Sequence, residues 1–381
     1  MKFYYIFALL ICHCASVLLL AQPVGKSFFL GHSLVNFHTP NMVKKLSDHA
    51  GLNFPYKANI GIGASLYWHY TYPETGEGDT WNVALPEGGY DQFLLTEALA
   101  LQAYLGWNTH RYVDSLFSFS RIYNPNIKLY VYETWHCIFS GTGSGCESWE
   151  WDNDTIIPFR TRLIQDLPLW ESIADSVNER HGEGTAFVIP AGQALLALND
   201  SIDAGLVPGI DNLSQLFVDN IHTSYRGAYF IACVMYGALQ QTSPEGLPNS
   251  LTDPWGSLYA NYTDQSNPIP TPQQAAIFQR IAWRTVCNYA HSGVNDCNNS
   301  VGIPNINNMP DEPLAYPNPL AANILTVETS KNDRYQIFNI NNKSIQEGEL
   351  KGGKNTIQLH FSAKGIYFLT VGKKVKKIIV P

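Results

Sequence analysis

The sequence predicts an α/β domain, a central parallel sheet with helices on both faces, followed by a small C-terminal all-β sandwich. Two observations carry this. Short apolar runs ending in a Gly or Ser turn alternate with helix-period segments about five times before Gln241, and that alternation builds parallel sheets. Near Ser300 the composition changes, and beyond Tyr316 the pattern becomes short alternating strands separated by turn residues. Of 381 residues, 45% are hydrophobic and 15% charged, as in an ordinary folded chain with a sizeable core. Net charge is -8 with no basic run before the C-terminal module, so the chain lacks the electrostatic footprint of a nucleic-acid binder.

Residues 1–21 carry Lys2, the apolar segments F-A-L-L-I-C and V-L-L-L, and Ala21 before polar Gln22. This reads as a secretory signal peptide; an uncleaved anchor is the alternative, although His13 interrupts the run. No later segment is long and apolar enough to span a bilayer. Export permits disulfides. Once the signal is removed, Cys137, Cys146, Cys233, Cys287 and Cys297 remain. Local pairing joins Cys137 to Cys146 and Cys287 to Cys297, leaving Cys233 as a buried helical thiol. Neither C-x-x-C nor H-E-x-x-H occurs, so no metal site is expected.

Phe28 to Leu34, F-F-L-G-H-S-L, is a strand-type run that ends in a Gly and sets Ser33 on the turn, where a hydroxyl can stand clear of a sheet edge. Ser33 is the candidate nucleophile. Asn41 to Ala50 has helical spacing with Gly51 as its stop. Ala58 to Leu66 is a strand breaking into Gly61 and Gly63. Trp68 to Tyr90 is polar, Gly-rich and aromatic, and reads as an irregular loop. Its Trp68, Tyr70, Tyr72 and Trp81 form a sugar-stacking platform or else pin the loop to the body. Tyr90 to Gln102 is a buried strand entering a helix, and Asn126 to Trp135 is a central strand. Leu163 to Arg180 is an amphipathic helix that Pro168 bends or restarts. Ala186 to Ala197 is a further strand, Gly turn and helix.

Asp219 and His222 are three residues apart, close enough on one helical turn for the carboxylate to hold one ring nitrogen while the other faces outward. His222 is the candidate base. Tyr225 to Gln241 reads as an apolar helix, and Ser243 to Asn299 closes the domain with one helix near Thr271 to His291. Residues 300–315 read as a linker. Residues 316–381 form the all-β module, with Lys373, Lys374, Lys376 and Lys377 near its end.

G-H-S-L resembles the G-D-S-L block of the SGNH (GDSL-type) hydrolases, and Asp219-x-x-His222 resembles their last block. The resemblance implies a flavodoxin-like three-layer sandwich over residues 22–299 and a Ser33, His222, Asp219 triad. It also implies an oxyanion hole from the backbone N–H groups of Ser33 and Gly63, with Gly61 the second choice to Gly63. Where that family shows G-x-N-D, this chain has Thr96-Glu97-Ala98. Thr96 or another group replaces the missing side-chain donor, or the hole runs on backbone donors alone. The T-W pair at Thr134-Trp135 resembles a strand end in diverged members, which implies that Glu133, Trp135 and His136 border the site. His136 is the rival base. Trp68, Trp81, Trp135 and His136 are the expected substrate contacts.

The implied activity is that of a secreted serine esterase acting on an acylated polysaccharide or small ester through an acyl-enzyme, without a cofactor. A non-catalytic carbohydrate-binding or adhesion protein on the same fold is the alternative. Y-P-N-P at Tyr316–Pro319, the G-I-Y-F-L-T-V strand and the Lys-flanked last strand resemble the C-terminal sorting domain of the type IX secretion system of Bacteroidetes. That resemblance implies recognition by the secretion machinery and a secreted or cell-surface product; a carbohydrate-binding or stalk domain is the alternative.

Overall fold

The structure, a computed structural model, describes residues 25–146, 156–259, 267–295, 297 and, with short gaps, 314–380. The expected signal segment and residues 300–313 of the expected linker lie outside these.

Six strands form the main sheet: β1 (Lys26–Gly31), β2 (Tyr56–Ile60), β3 (Glu77–Gly78), β4 (Tyr90–Leu95), β5 (Lys128–Tyr132) and β6 (Ala186–Ile189), in the order β3-β2-β1-β4-β5-β6. All pairings are parallel except that of β3 with β2. The parallel strands thus follow the flavodoxin-like winding, in which the connection reverses direction beside β1. Successive residues of β1 point to opposite faces. Phe29 enters one core and Phe28 and Leu30 the other, all fully buried. Burial on both sides is why β1 reads as a continuous apolar run rather than an alternating one.

Helices α1 (His38–His49), α7 (Ala191–Asp203), α8 (Tyr225–Gln240) and α9 (Pro272–Asn288) supply the core on the Phe29 side. The opposite core takes residues from α5 (Thr109–Tyr123) and α6 (Phe159–His181), with the short α2 (Leu66–Thr71), α3 (Trp81–Ala84) and α4 (Leu101–Gly106). Every residue of α8 from Gly227 to Leu239 is buried, since the helix lies against α1, α7 and α9. A helix apolar all round belongs in such a place.

Two expectations change, and one helix was not anticipated. The Trp68–Tyr90 stretch is not irregular: it holds α2, the short β3 and α3, ordered by the inward-facing His69, Trp81, Ala84 and Leu85. Helix α6 runs through Pro168 without interruption. Helix α5 escaped the sequence reading, although Val113, Leu116, Phe117 and Ser120 recur at helical spacing and are all buried.

The C-terminal module contains β7 (Leu314–Tyr316), β8 (Ile324–Thr329), β9 (Asp333–Asn339), β10 (Ser344–Leu350), β11 (Gly353–Gln358), β12 (Gly365–Val371) and β13 (Lys374–Val380). They form antiparallel sheets β10-β9-β12-β13 and β11-β8-β7. Leu325, Val327 and Ile357 from one sheet share a core with Ile337, Leu369 and Ile378 from the other. Strands β7 and β10 were not expected. The sequence of β10, S-I-Q-E-G-E-L, is mostly polar because it is an edge strand paired only with β9.

Candidate active site

Ser33 follows the C-terminal end of β1, at the crevice where the winding reverses and where open α/β sheets bind ligands. Gly31 makes the turn possible. A Cβ there would lie 2.6 Å from Val35 Cγ2 and 2.9 Å from Thr96 Cγ2, so a side chain would push the turn off β4. The N–H groups of Val35 and Asn36 donate to the His32 carbonyl at 2.9 and 3.3 Å. Asn36 then takes the left-handed region, with φ 45°, and its Oδ1 accepts from His38 and Thr39 N–H at 2.7 and 2.8 Å, starting α1.

Asp219 and His222 do not lie on a helical turn. They occupy a tight loop closed by the bridge between Phe217 and Thr223, with Val218 N–H donating to the His222 carbonyl at 2.9 Å. Asp219 Oδ1 accepts from the backbone N–H groups of Ile221 (2.8 Å) and His222 (2.6 Å). Its Oδ2 lies 2.7 Å from His222 Nδ1, and His222 Nε2 lies 2.9 Å from Ser33 Oγ. A carboxylate on Nδ1 fixes the proton there and leaves the Nε2 lone pair facing the serine hydroxyl. Partial desolvation pushes the Asp219 carboxyl up, but the two backbone N–H bonds and the imidazole together outweigh it and hold it below the usual carboxylate range.

This loop is buttressed by the chain beyond β5. Trp135 Nε1 donates to the Ile221 carbonyl at 2.8 Å, Ile138 N–H to the Asn220 carbonyl at 2.8 Å, and Asn220 Nδ2 to the Gly145 carbonyl at 2.8 Å. The Cys137–Cys146 disulfide closes that segment. Cys287 and Cys297 are also joined, and Cys233 is a buried free thiol whose pKa burial pushes up.

A cleft of about 390 Å³ opens over Ser33 and His222. Ile62 and Gly63 line it from the β2–α2 loop, Ala98 and Leu99 from the β4–α4 loop, and His136 and Cys137 from the end of β5. Gly63 has φ +66°, a conformation that glycine adopts without strain. Gly61 N–H is already committed to the Gly31 carbonyl at 2.8 Å. Among the described residues the N–H groups of Ser33 and Gly63 meet no protein acceptor.

Other predicted contacts fall elsewhere. Thr96 is fully buried and donates its hydroxyl to the Tyr132 carbonyl at 2.8 Å, so that donor is spent inside the sheet. Trp81 is buried, donates from Nε1 to the His69 carbonyl at 2.9 Å and meets Phe119 edge-on. Trp68 backs the Gly61 turn and does not line the cleft. Trp135 lies in the core behind the Asp219–His222 loop. Trp81 and Trp135 pin loops, because indole buries a large apolar face once its N–H has found a carbonyl. Glu133 is buried behind the site and accepts from Gln193 Nε2 at 2.7 Å. His136 does reach the cleft, and a carboxylate missing from its own motif orders it: Nε2 is hydrogen-bonded to Asp166 of α6. Sequence reading also missed His32 and Glu97, both buried beside the cleft. Their signal was their place, inside the G-H-S-L block and at the site of the absent G-x-N-D.

Fold and geometry together define an α/β protein with a Ser–His–Asp hydrogen-bonded array at the sheet's winding reversal. Residues 314–381 match the secretion system C-terminal sorting domain family. The protein is therefore secreted or held at the cell surface, by way of the machinery that reads this domain. Among the described residues no helix is long and apolar enough to cross a membrane. The α/β domain is similar to a DUF4886 family protein from Bacteroides uniformis, at 16% identity and TM-score 0.50 over 69% of this chain and 94% of that one. It aligns less closely with a protein from Slackia heliotrinireducens assigned to the SGNH hydrolases (18% identity, TM-score 0.37, 55% of this chain and 96% of that one). A protein from Parabacteroides merdae assigned as a GDSL-like lipase gives 11% identity and TM-score 0.37, over 58% and 97% of the two chains. No curated protein matches by sequence.

Proposed function

We propose that the protein is an exported serine esterase of SGNH type. The observation that carries this is the unbroken array Asp219–His222–Ser33, with contacts of 2.7 and 2.9 Å, opening into one cleft. Ser33 Oγ attacks the ester carbonyl carbon while His222 Nε2 takes its proton, and Asp219 steadies the imidazolium. The carbonyl oxygen becomes an oxyanion, held by the Ser33 and Gly63 N–H groups. Collapse releases the alcohol, which receives its proton from His222 and leaves an acyl-Ser33. Water activated by the same imidazole then frees the acid and restores the serine.

The cleft favours a short acyl group. Its volume lies at the low end for ligand sites, and Leu34, Ile62 and Leu99 give it apolar walls. With export by the sorting domain, this supports deacetylation of an extracellular polysaccharide. His136, held through Nε2 by Asp166, lines the same cleft, which supports a contact with such an ester.

The test is hydrolysis of p-nitrophenyl acetate by the chain from Gln22, beside Ser33→Ala and His222→Ala, with acetate release from acetylated xylan or pectin as the second assay. Loss of at least roughly a thousandfold in both folded variants is expected. A parent that is inert and unlabelled by a fluorophosphonate probe would overturn the esterase reading.

A further inference from the structure

The oxyanion side of this site lacks the family's side-chain donor, and Thr96 cannot replace it because its hydroxyl is spent on Tyr132. The next residue, Glu97, touches both loops that carry the remaining backbone donors. Its carbonyl lies 3.0 Å from His32 Nε2, in the turn that presents Ser33. Its carboxylate Oε1 accepts from Leu66 N–H at 3.0 Å, at the end of the loop that presents Gly63, and from Ala98 N–H at 2.8 Å. Oε2 accepts from Thr109 Oγ1 at 2.8 Å.

His32 is committed as fully. Its Nδ1 accepts from Leu34 N–H at 3.3 Å while Nε2 donates to Glu97. Burial drives its pKa down to about 4, so the ring is neutral and carries one proton, the one that the Glu97 carbonyl requires. An aspartate at this position, the residue of the G-D-S-L block, could accept from Leu34 but would bring an acceptor against the Glu97 carbonyl. The histidine at 32 therefore suits the glutamate strand end at 97.

We infer that His32 and Glu97 are paired positioning residues that set the Ser33 and Gly63 N–H groups as a two-donor oxyanion hole, in place of the absent side-chain donor. The inference rests on the esterase reading. A displacement of about 1 Å in such donors costs roughly a hundredfold in rate.

Four chains are compared by p-nitrophenyl acetate kinetics, fluorophosphonate labelling rate and thermal melting: the parent, His32→Asp, Glu97→Ala and Glu97→Gln. Glu97→Ala should lower kcat roughly a hundredfold with KM within about threefold. His32→Asp, which rebuilds the family block, should also lower kcat, by tenfold or more on the same grounds. Glu97→Gln keeps an acceptor for both N–H groups and should stay within about threefold of the parent. An inert parent would sink the esterase reading itself. An active parent with His32→Asp and Glu97→Ala both near its rate would overturn this inference alone. So would a Glu97→Gln as impaired as Glu97→Ala, since charge rather than positioning would then be at work. If Glu97→Ala fails to fold, His32→Asp decides: a folded variant with kcat lowered tenfold or more and KM little changed supports the inference, and one within about threefold of the parent overturns it.

Discussion

The rings of His38 and Tyr225 meet edge-on with centroids 5.1 Å apart, and these are the opening residues of α1 and α8. Tyr259 joins them, at 5.3 Å from His38 and 5.2 Å from Tyr225. Helix α1 begins just after Ser33 and α8 just after His222, so this aromatic contact ties together the starts of the two helices that follow these residues. A separation of 189 positions in the chain is closed to 2.9 Å in space by helix packing rather than by any local motif.

Tyr225→Ala should therefore act on catalysis as well as on stability. Truncating a half-buried ring of this kind costs about 1–3 kcal/mol. Beyond that, the Ser33–His222 distance would be less well held, and kcat/KM should fall about tenfold at temperatures where the variant is fully folded. Tyr225→Phe retains the ring and should differ little. Equal kcat/KM in the parent and Tyr225→Ala would mean that the aromatic contact does not govern the site.

Asp219→Asn tests the tautomer argument. An asparagine oxygen could still accept from Ile221 and His222 N–H, which leaves its NH₂ group facing His222 Nδ1. The imidazole would then carry its proton on Nε2 and could not take one from Ser33. Activity should drop by roughly 10³–10⁴-fold while the melting temperature changes little. A drop of less than tenfold would show that the carboxylate does not set the tautomer.

Much of this was legible in the sequence, for identifiable reasons. Strand β1 and its turn could be read because burial on both faces forces an apolar run, and the Gly before Ser33 marks where the backbone must turn tightly against Thr96. Asp219 and His222 could be read from their spacing, but not their loop, because the bridge from Phe217 to Thr223 is a single pair that leaves no periodic trace. The tryptophans could be read two ways. An indole in a polar, Gly-rich stretch or at a strand end suits a ligand platform or a strut, and Trp81 and Trp135 each find a backbone carbonyl and become interior struts. The Asp166 partner of His136 was invisible, since the pair is made across two elements of the fold.

The two disulfides close loops of similar length, with sequence separations of 9 and 10, so chain entropy predicts similar stabilisation of about 2–3 kcal/mol each. Their functional effects should differ. Cys137 lines the cleft, and its loop carries the Gly145 carbonyl that receives Asn220, next to Ile221 and His222. Replacing Cys137 and Cys146 by Ala should lower kcat/KM several-fold in the folded protein. Replacing Cys287 and Cys297 should lower the melting temperature alone. Equal kinetic effects from both pairs would remove the case for a specific role of the Cys137 loop.

Glu133 gives a prediction in pH. Burial pushes its carboxyl up to about 8, outweighing the hydrogen bonds from Gln193 and the Gly192 N–H that favour the charged form. The folded protein therefore holds a proton there that the unfolded chain releases at its ordinary value of 4.5. Between these values the native state binds more protons than the unfolded state, so this group's contribution is fully present below pH 4.5 and is lost as pH rises toward 8. The loss is on the order of a few kcal/mol. Glu133→Gln stays neutral throughout and forfeits about one hydrogen bond at every pH, roughly 1 kcal/mol. Its melting temperature relative to the parent should consequently be lowest at pH 5 and climb steadily to pH 8.5. Glu97, pushed up to about 6 by burial, adds a slope of the same sign below pH 6, but it is present in both proteins and cancels in the difference. A difference that stays flat across this range would mean that Glu133 ionises at its ordinary pKa and that its interior position is compensated by the Gln193 bonds.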